Sequence, residues 1–297
     1  MIARRGFVAA VVLTAVVAGC SSATTGTSPA PMTGMADMSG MAGMAGMAPA
    51  PSASPLAMAA PGGTGLAGAV GGYSLAAVTE TVPAGAPGVF AFRISGPDGR
   101  TVTRYQPDDG QLMLFDLVRS DLTGYQHGDP AMREDGTWNV SLPALAPGAY
   151  RAYVSFAAPD TSAGTPLVYV LSRPFTVPGP VSPVALPPPA TGAVVGGVTV
   201  RLAGRPAAGA VSALTLDFSS GGKPVGYFQR YLDGYAHLIA FHVGDLATVQ
   251  LSPATKATKP SELTSQGLFP ETGSWRVFVG FQIAGPVQTA AFTITVP

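Results

Sequence analysis

One nine-residue pattern, Gly-x-aromatic-Arg-x-aromatic-Val-x-Phe, occurs twice, and this duplication constrains the fold more than any other feature of the chain. It reads Gly148-Ala149-Tyr150-Arg151-Ala152-Tyr153-Val154-Ser155-Phe156, and 125 residues later Gly273-Ser274-Trp275-Arg276-Val277-Phe278-Val279-Gly280-Phe281. Upstream, Asp121-Leu122 recurs as Asp245-Leu246; downstream, Phe175-Thr176-Val177 matches Phe292-Thr293-Ile294. The shorter downstream spacing gives the first copy extra residues, assigned to the loop from Pro159 to Pro166. A period this long marks a duplicated domain, because solenoid units run to only about 20–50 residues.

Within each copy, short apolar runs alternate with period two, as in Val89-Phe90-Ala91-Phe92-Arg93-Ile94 and Gly197-Val198-Thr199-Val200-Arg201-Leu202. Turn residues punctuate these runs, and the chain holds 38 glycines and 29 prolines. Such a texture predicts an all-β fold of two tandem immunoglobulin-like antiparallel β-sandwiches, residues 72–178 and 194–297, without amphipathic helices. Tyr150 and Trp275 each follow a Pro/Gly turn and open a strand, the position of the aromatic corner that closes one end of such a core. Between the copies lies a proline-rich spacer, 179–193, with Pro180, Pro183 and Pro187-Pro188-Pro189. Its stiffness is expected to hold the two domains at a set separation.

The N-terminus carries an address. Arg4 and Arg5 precede an uncharged apolar run from Phe7 to Val17, which closes on Val17-Ala18-Gly19-Cys20. Basic start, apolar middle and small residues at the end predict a signal peptide, 1–19. The run is shorter than the roughly 20 residues a membrane helix needs. Val-Ala-Gly-Cys resembles the bacterial lipobox, which implies lipid attachment at Cys20, the single cysteine of the 297 residues. The expected location is the extracytoplasmic face of the cell membrane, with lipid as the anchor. Acylation also consumes the only thiol.

Residues 20–71 are predicted to be a disordered linker: Ser, Thr, Ala, Gly, Pro and Met dominate, aromatics are absent, and Asp37 is the one charge. As a flexible coil the segment spans roughly 40 Å. Inside it Met32, Met35, Met38, Met41, Met44 and Met47 fall at every third residue. Thioethers are soft, neutral ligands that select Cu(I). With three residues per turn, a polyproline-type chain aligns all six sulfurs on one side. The alternatives are low complexity generated by slippage, with no ligand, and a helical apolar stripe, which the glycines oppose.

Three histidines remain. His127 lies in Tyr125-Gln126-His127-Gly128-Asp129-Pro130; His237 and His242 share one apolar run and, five apart on a strand, face opposite ways. On these residues both copies resemble the domains of actinobacterial secreted proteins, often lipoproteins with Met- or His-rich leaders, associated with copper and other heavy metals. In that family a His-Leu pair precedes the Asp-Leu landmark, and His-x-His-Pro ends the segment after it. Here Met113-Leu114 and His127-Gly128-Asp129-Pro130 take those places in the first copy; His237-Leu238 and Gln250-Leu251-Ser252-Pro253 do so in the second. The resemblance implies copper as cofactor, with Met113, His127, Asp129 and His237 as further candidate ligands. A metal transporter or another envelope protein is the implied partner.

Formal net charge is zero, and without Arg4 and Arg5 the count is 14 basic against 16 acidic residues. That balance offers no electrostatic footprint for nucleic acid. Gly-x-Ser-x-Gly, His-Glu-x-x-His, Walker and dinucleotide motifs are missing from the sequence, so no enzyme activity is expected. A plain adhesive or structural module on a stalk, binding a protein or wall polymer, is the competing function.

Overall fold

The computed structural model describes residues 63–79, 81–108, 110–158, 167–232 and 234–297. Cys20, the six spaced methionines and the loop 159–166 lie outside the described residues. Strands in the first copy are β1 (Ala69–Val70), β2 (Tyr73–Ala77), β3 (Gly88–Ser95), β4 (Leu114–Arg119), β5 (Gln126–Gly128), β6 (Ala131–Met132), β7 (Trp138–Leu142), β8 (Gly148–Ala158) and β9 (Leu167–Val177). Those in the second are β10 (Gly192–Val195), β11 (Val198–Ala203), β12 (Val211–Ser220), β13 (Lys223–Pro224), β14 (Ala236–His242), β15 (Thr248–Gln250), β16 (Thr255–Lys256), β17 (Glu262–Leu268), β18 (Gly273–Phe281) and β19 (Gln288–Val296). Among the described residues no helix is long and apolar enough to cross a membrane.

The first sandwich pairs a sheet of order β1-β2-β3-β7-β6 with one of order β5-β4-β8-β9. The second pairs β10-β11-β12-β17-β16, with β13 beside β12, with β15-β14-β18-β19. Alternation creates each core. Phe90, Phe92 and Ile94 of β3 are fully buried against Phe115, Leu117 and Trp138. Val200, Leu216 and Phe218 do the same against Leu238, Val277 and Phe281. Each such side chain contributes roughly 1.5–3 kcal/mol by leaving water.

The aromatic corners exist in both copies. Tyr150 donates its hydroxyl to the Ala146 carbonyl at 3.0 Å, and the Trp275 indole N–H donates to the Glu271 carbonyl at 3.3 Å. Each ring thus bonds the carbonyl four residues upstream.

The two four-stranded sheets pack on each other, and a third apolar cluster fills the contact. It contains Val118, Leu122 and Tyr153 from the first copy and Ile239, Phe241 and Phe278 from the second. β4 and β14 are therefore buried on both faces, which explains why their sequences read as near-continuous apolar runs. Equivalent residues meet reciprocally: the Tyr153 hydroxyl reaches the Leu246 carbonyl at 2.6 Å, while Phe278, its counterpart, shares the cluster with Leu122. The arrangement is that of an isologous dimer interface inside one chain.

The Asp-Leu landmark is the turn after β4 and after β14. Leu122 and Leu246 adopt left-handed backbone, with φ of 62° and 67°. Asp121 ties the first turn through Arg119, Thr123 and the Val184 amide. The second turn carries one extra residue, Gly244, at φ 116°. That insertion changes which residues correspond along the preceding strand. Leu114 pairs with Ser155 and His237 with Gly280, so the structural counterpart of His237 is Leu114, not Met113. Met113 points into the first core at 3% exposure. A one-residue slip turns a strand residue to the opposite face, and this one removes Met113 from the metal candidates.

Two linker expectations also change. Residues 63–71, expected in the disordered segment, are held by backbone bonds: Thr248 N–H donates to the Thr64 carbonyl (2.8 Å), Ser172 N–H donates to Ala67 (3.0 Å), and Ala69 pairs with Ser74. The proline-rich stretch lies against the first sandwich, where Arg119 donates to the Ser182 carbonyl (2.7 Å) and Leu186 joins the inter-sheet cluster.

Candidate functional site

A carboxylate sits in the inter-sheet contact. Asp116 is the central residue of Leu114-Phe115-Asp116-Leu117-Val118; its neighbours Phe115 and Leu117 enter the first core, so its side chain turns toward the second sandwich. It is 1% exposed. His127 is its direct cross-strand partner on β5, and paired residues share a sheet face. The His127 Nδ1–H donates to Asp116 Oδ1 at 3.0 Å, and the Tyr125 hydroxyl donates to the same oxygen at 2.7 Å.

His237 arrives from β14 of the other sandwich. Ala236 and Leu238 face the second core, so His237 faces Asp116, with Nε2 at 3.8 Å from Oδ1. Its Nε2 is buried and makes no hydrogen bond. The His127 and His237 rings are 5.0 Å apart between centroids. Tyr231 closes the far side; a Cβ on Gly280, opposite His237, would stand 3.0 Å from its ring. A cleft of about 230 Å³ between the sandwiches reaches His237 past Leu114, Tyr231, Gln250, Leu251 and Ser252.

Burial alone would raise the Asp116 pKa, but the charge and hydrogen bond of His127, with His237, hold it well below the carboxylate range. For His127 burial opposes protonation, and the Asp116 charge and hydrogen bond overcome it, leaving the pKa raised. Burial and then the Asp116 charge push the Tyr125 and Tyr231 hydroxyls up. Asp116 and His127 are thus a buried hydrogen-bonded pair in which each favours the charged form of the other, and one-sided disruption of such a pair costs about 3–5 kcal/mol.

A second group, His242, Asp245 and Glu271, lies at the end of β14. His242 Nδ1 is 2.9 Å from Asp245 and 3.4 Å from Glu271, both carboxylates 43% exposed. It has a structural twin: Arg119 pairs with Asp121 in the first copy, and Arg119 and His242 cover the equivalent glycines Gly148 and Gly273. Like that pair, it ties the turn after its strand, with Asp245 accepting from the Ala247 amide at 3.0 Å.

Of the histidines and acids singled out in the sequence, the structure unites His127 and His237, one from each repeat. Met113 is in the first core, and Asp129 is exposed and acts on His127 only through its charge. Asp116, Tyr125 and Tyr231 were missed. The signal for Asp116 was present: a lone carboxylate flanked on both sides by two apolar residues in a strand.

Residues 193–297 match a family described as a domain of unknown function (DUF8832). No curated protein matches the chain. Among solved structures, the Escherichia coli adhesin FdeC is similar at 12% identity, covering 76% of this chain and 64% of that one, with a TM-score of 0.25. The Yersinia pseudotuberculosis adhesin InvE is similar at 15%, covering 75% and 58%, with a TM-score of 0.23. The chain thus spans less than two thirds of either adhesin chain. The Lin-41 filamin domain, at 13%, covers 34% of this chain and is itself covered to 91%, with a TM-score of 0.22.

Proposed function

We propose that this is a non-catalytic, extracytoplasmic metal-binding protein, lipid-anchored through Cys20, that binds Cu(I) through Met32, Met35, Met38, Met41, Met44 and Met47. The observation that carries the reading is the unbroken threefold spacing of these methionines behind the only cysteine. Thioethers stay unprotonated at any physiological pH and select Cu(I) over harder ions. The folded part supports a division of labour. Among the described residues the clustered histidines and acids offer imidazoles and carboxylates, suited to divalent ions. The two methionines there stand apart, Met113 in the first core and Met132 on an edge strand, which leaves soft-metal capture to the leader. The double sandwich docks on an envelope partner, such as a metal transporter.

Competition against a colorimetric Cu(I) chelator tests this. The chain from residue 20, as Cys20→Ser, is expected to withdraw about one to two Cu(I), with two or three thioethers per ion. Deleting 32–47 is expected to abolish most of that. Equal and weak competition by both proteins overturns the reading.

A second reading, an adhesive module, is favoured by one observation. The outer sheet of the second sandwich exposes Val194 (74%), and the paired Val211 and Leu268 (67% and 44%). It predicts a protein partner whose retention ignores chelator and is lost in Val211→Lys/Leu268→Lys.

A further inference from the structure

We propose that Asp116, His127 and His237 form a site for one divalent transition ion of the Zn2+/Cu2+ class, which clamps the two sandwiches together. The inference is independent of the leader: it concerns other residues, another oxidation state and harder donors.

Four observations carry it. The donor set, two imidazoles and a carboxylate with ligand atoms all within 4.8 Å of one another, is the type that binds such ions in three-ligand sites. The spacing fits: two donors on a tetrahedral ion at about 2.0–2.1 Å stand about 3.3–3.4 Å apart, and Asp116 Oδ1 lies 3.0 Å from His127 and 3.8 Å from His237. These two distances bracket that value, and the ion takes the place of the Nδ1 proton that His127 donates to Asp116, which is released to solvent. His237 is nine-tenths buried, and its Nε2 has no hydrogen-bond partner although it is aimed at a carboxylate. A buried polar atom without a partner is costly, and an ion satisfies it. Finally, the cleft at His237 supplies an entry path and room for water as the fourth ligand. Tyr125, which donates to Asp116, acts as a positioning residue for that carboxylate.

The site has no twin across the repeat. The counterparts of Asp116, His127 and His237 are Ile239, Gln250 and Leu114, and Gln250 bonds Ser155 instead. The fold therefore forms at the equivalent place without these donors.

Zn2+ is the probe, added to the full chain from residue 20 (Cys20→Ser), freed of metal and followed by isothermal titration. One Zn2+ per chain is expected. His237→Ala, which removes an imidazole whose Nε2 makes no hydrogen bond, is expected to weaken binding by more than about 100-fold, beyond the ~10–100-fold typical of supporting residues. Should His237→Ala disturb folding, His237→Gln carries the same expectation. Tyr125→Phe is expected to weaken binding by about tenfold. Cu2+ is expected to bind more tightly than Zn2+. Co2+ in place of Zn2+ is expected to give the intense visible bands of a four-coordinate ion. Absence of Zn2+ uptake, unchanged affinity in the His237 variants, or loss through His242→Ala in their place overturns the proposal. None of these outcomes bears on Cu(I) capture by residues 32–47, so the two readings fail separately.

Discussion

His237 Nε2 of the second repeat lies 3.8 Å from Asp116 Oδ1 of the first and forms no hydrogen bond, while His127, from the same repeat as Asp116, takes that oxygen at 3.0 Å. The two histidines therefore carry different energetic weight in the metal-free protein. Asp116→Ala leaves the His127 ring and the Tyr125 hydroxyl without their acceptor and removes the charge that offsets the burial of His127, so it is expected to cost about 3–5 kcal/mol. His237→Ala removes a ring whose Nε2 makes no hydrogen bond and is expected to cost about 1 kcal/mol or less. Urea denaturation of both variants checks this, and equal losses would sink the assignment.

The contact between sandwiches is tied by the Tyr153 hydroxyl on the Leu246 carbonyl. Phe278 holds the equivalent place in the second repeat, so Tyr153→Phe fits without rearrangement. The lost bond is expected to cost about 1 kcal/mol, a fall of about 2–4 °C in Tm. An unchanged Tm in scanning calorimetry would mean that Leu246 has found another donor.

Leu122 and Leu246 share a left-handed backbone that penalises a side chain by roughly 1–2 kcal/mol. Glycine relieves that penalty at both. Leu122, however, is 4% exposed in the inter-sheet cluster, and losing a buried leucine costs about 2–5 kcal/mol. Leu122→Gly is thus expected to destabilise by about 2 kcal/mol net, and Leu246→Gly, only partly buried, by under about 1 kcal/mol. Equal effects on the urea midpoint would contradict this burial difference.

Acid should loosen the proline-rich stretch from the first sandwich. Burial would raise the Asp121 pKa, but its bonds from Arg119, Thr123 and the Val184 amide lower it to about 2. A folded pKa below the ordinary value of about 3.9 means that Asp121 stabilises the fold above that pH and ceases to as pH falls toward 2. The wild-type urea midpoint is expected to drop between pH 4 and pH 2, and Asp121→Asn to flatten that part of the profile. Identical profiles would show that Asp121 does not couple the two segments.

Strand alternation was legible because the cores are lined at every second residue: Phe90, Phe92 and Ile94 need no tertiary information to be placed. The aromatic corners were legible for the same local reason. The inter-sheet contact was not. A strand buried on both faces, such as β4 or β14, loses its period and gives no sign of what covers its second face. The Met113 assignment failed on a finer point. Gly244 lengthens the second turn by one residue, and one residue in a turn exchanges the core face for the contact face. Joining His127 to His237 required the packing of two sandwiches, which neither repeat encodes alone.

Copper K-edge X-ray absorption on the Cu(I)-loaded chain (residues 20–297, Cys20→Ser) tests Cu(I) coordination by the leader thioethers most directly. A first shell built from sulfur, lost when Met32, Met35, Met38, Met41, Met44 and Met47 are replaced by leucine, is the predicted result. A nitrogen/oxygen shell that survives those replacements would contradict it.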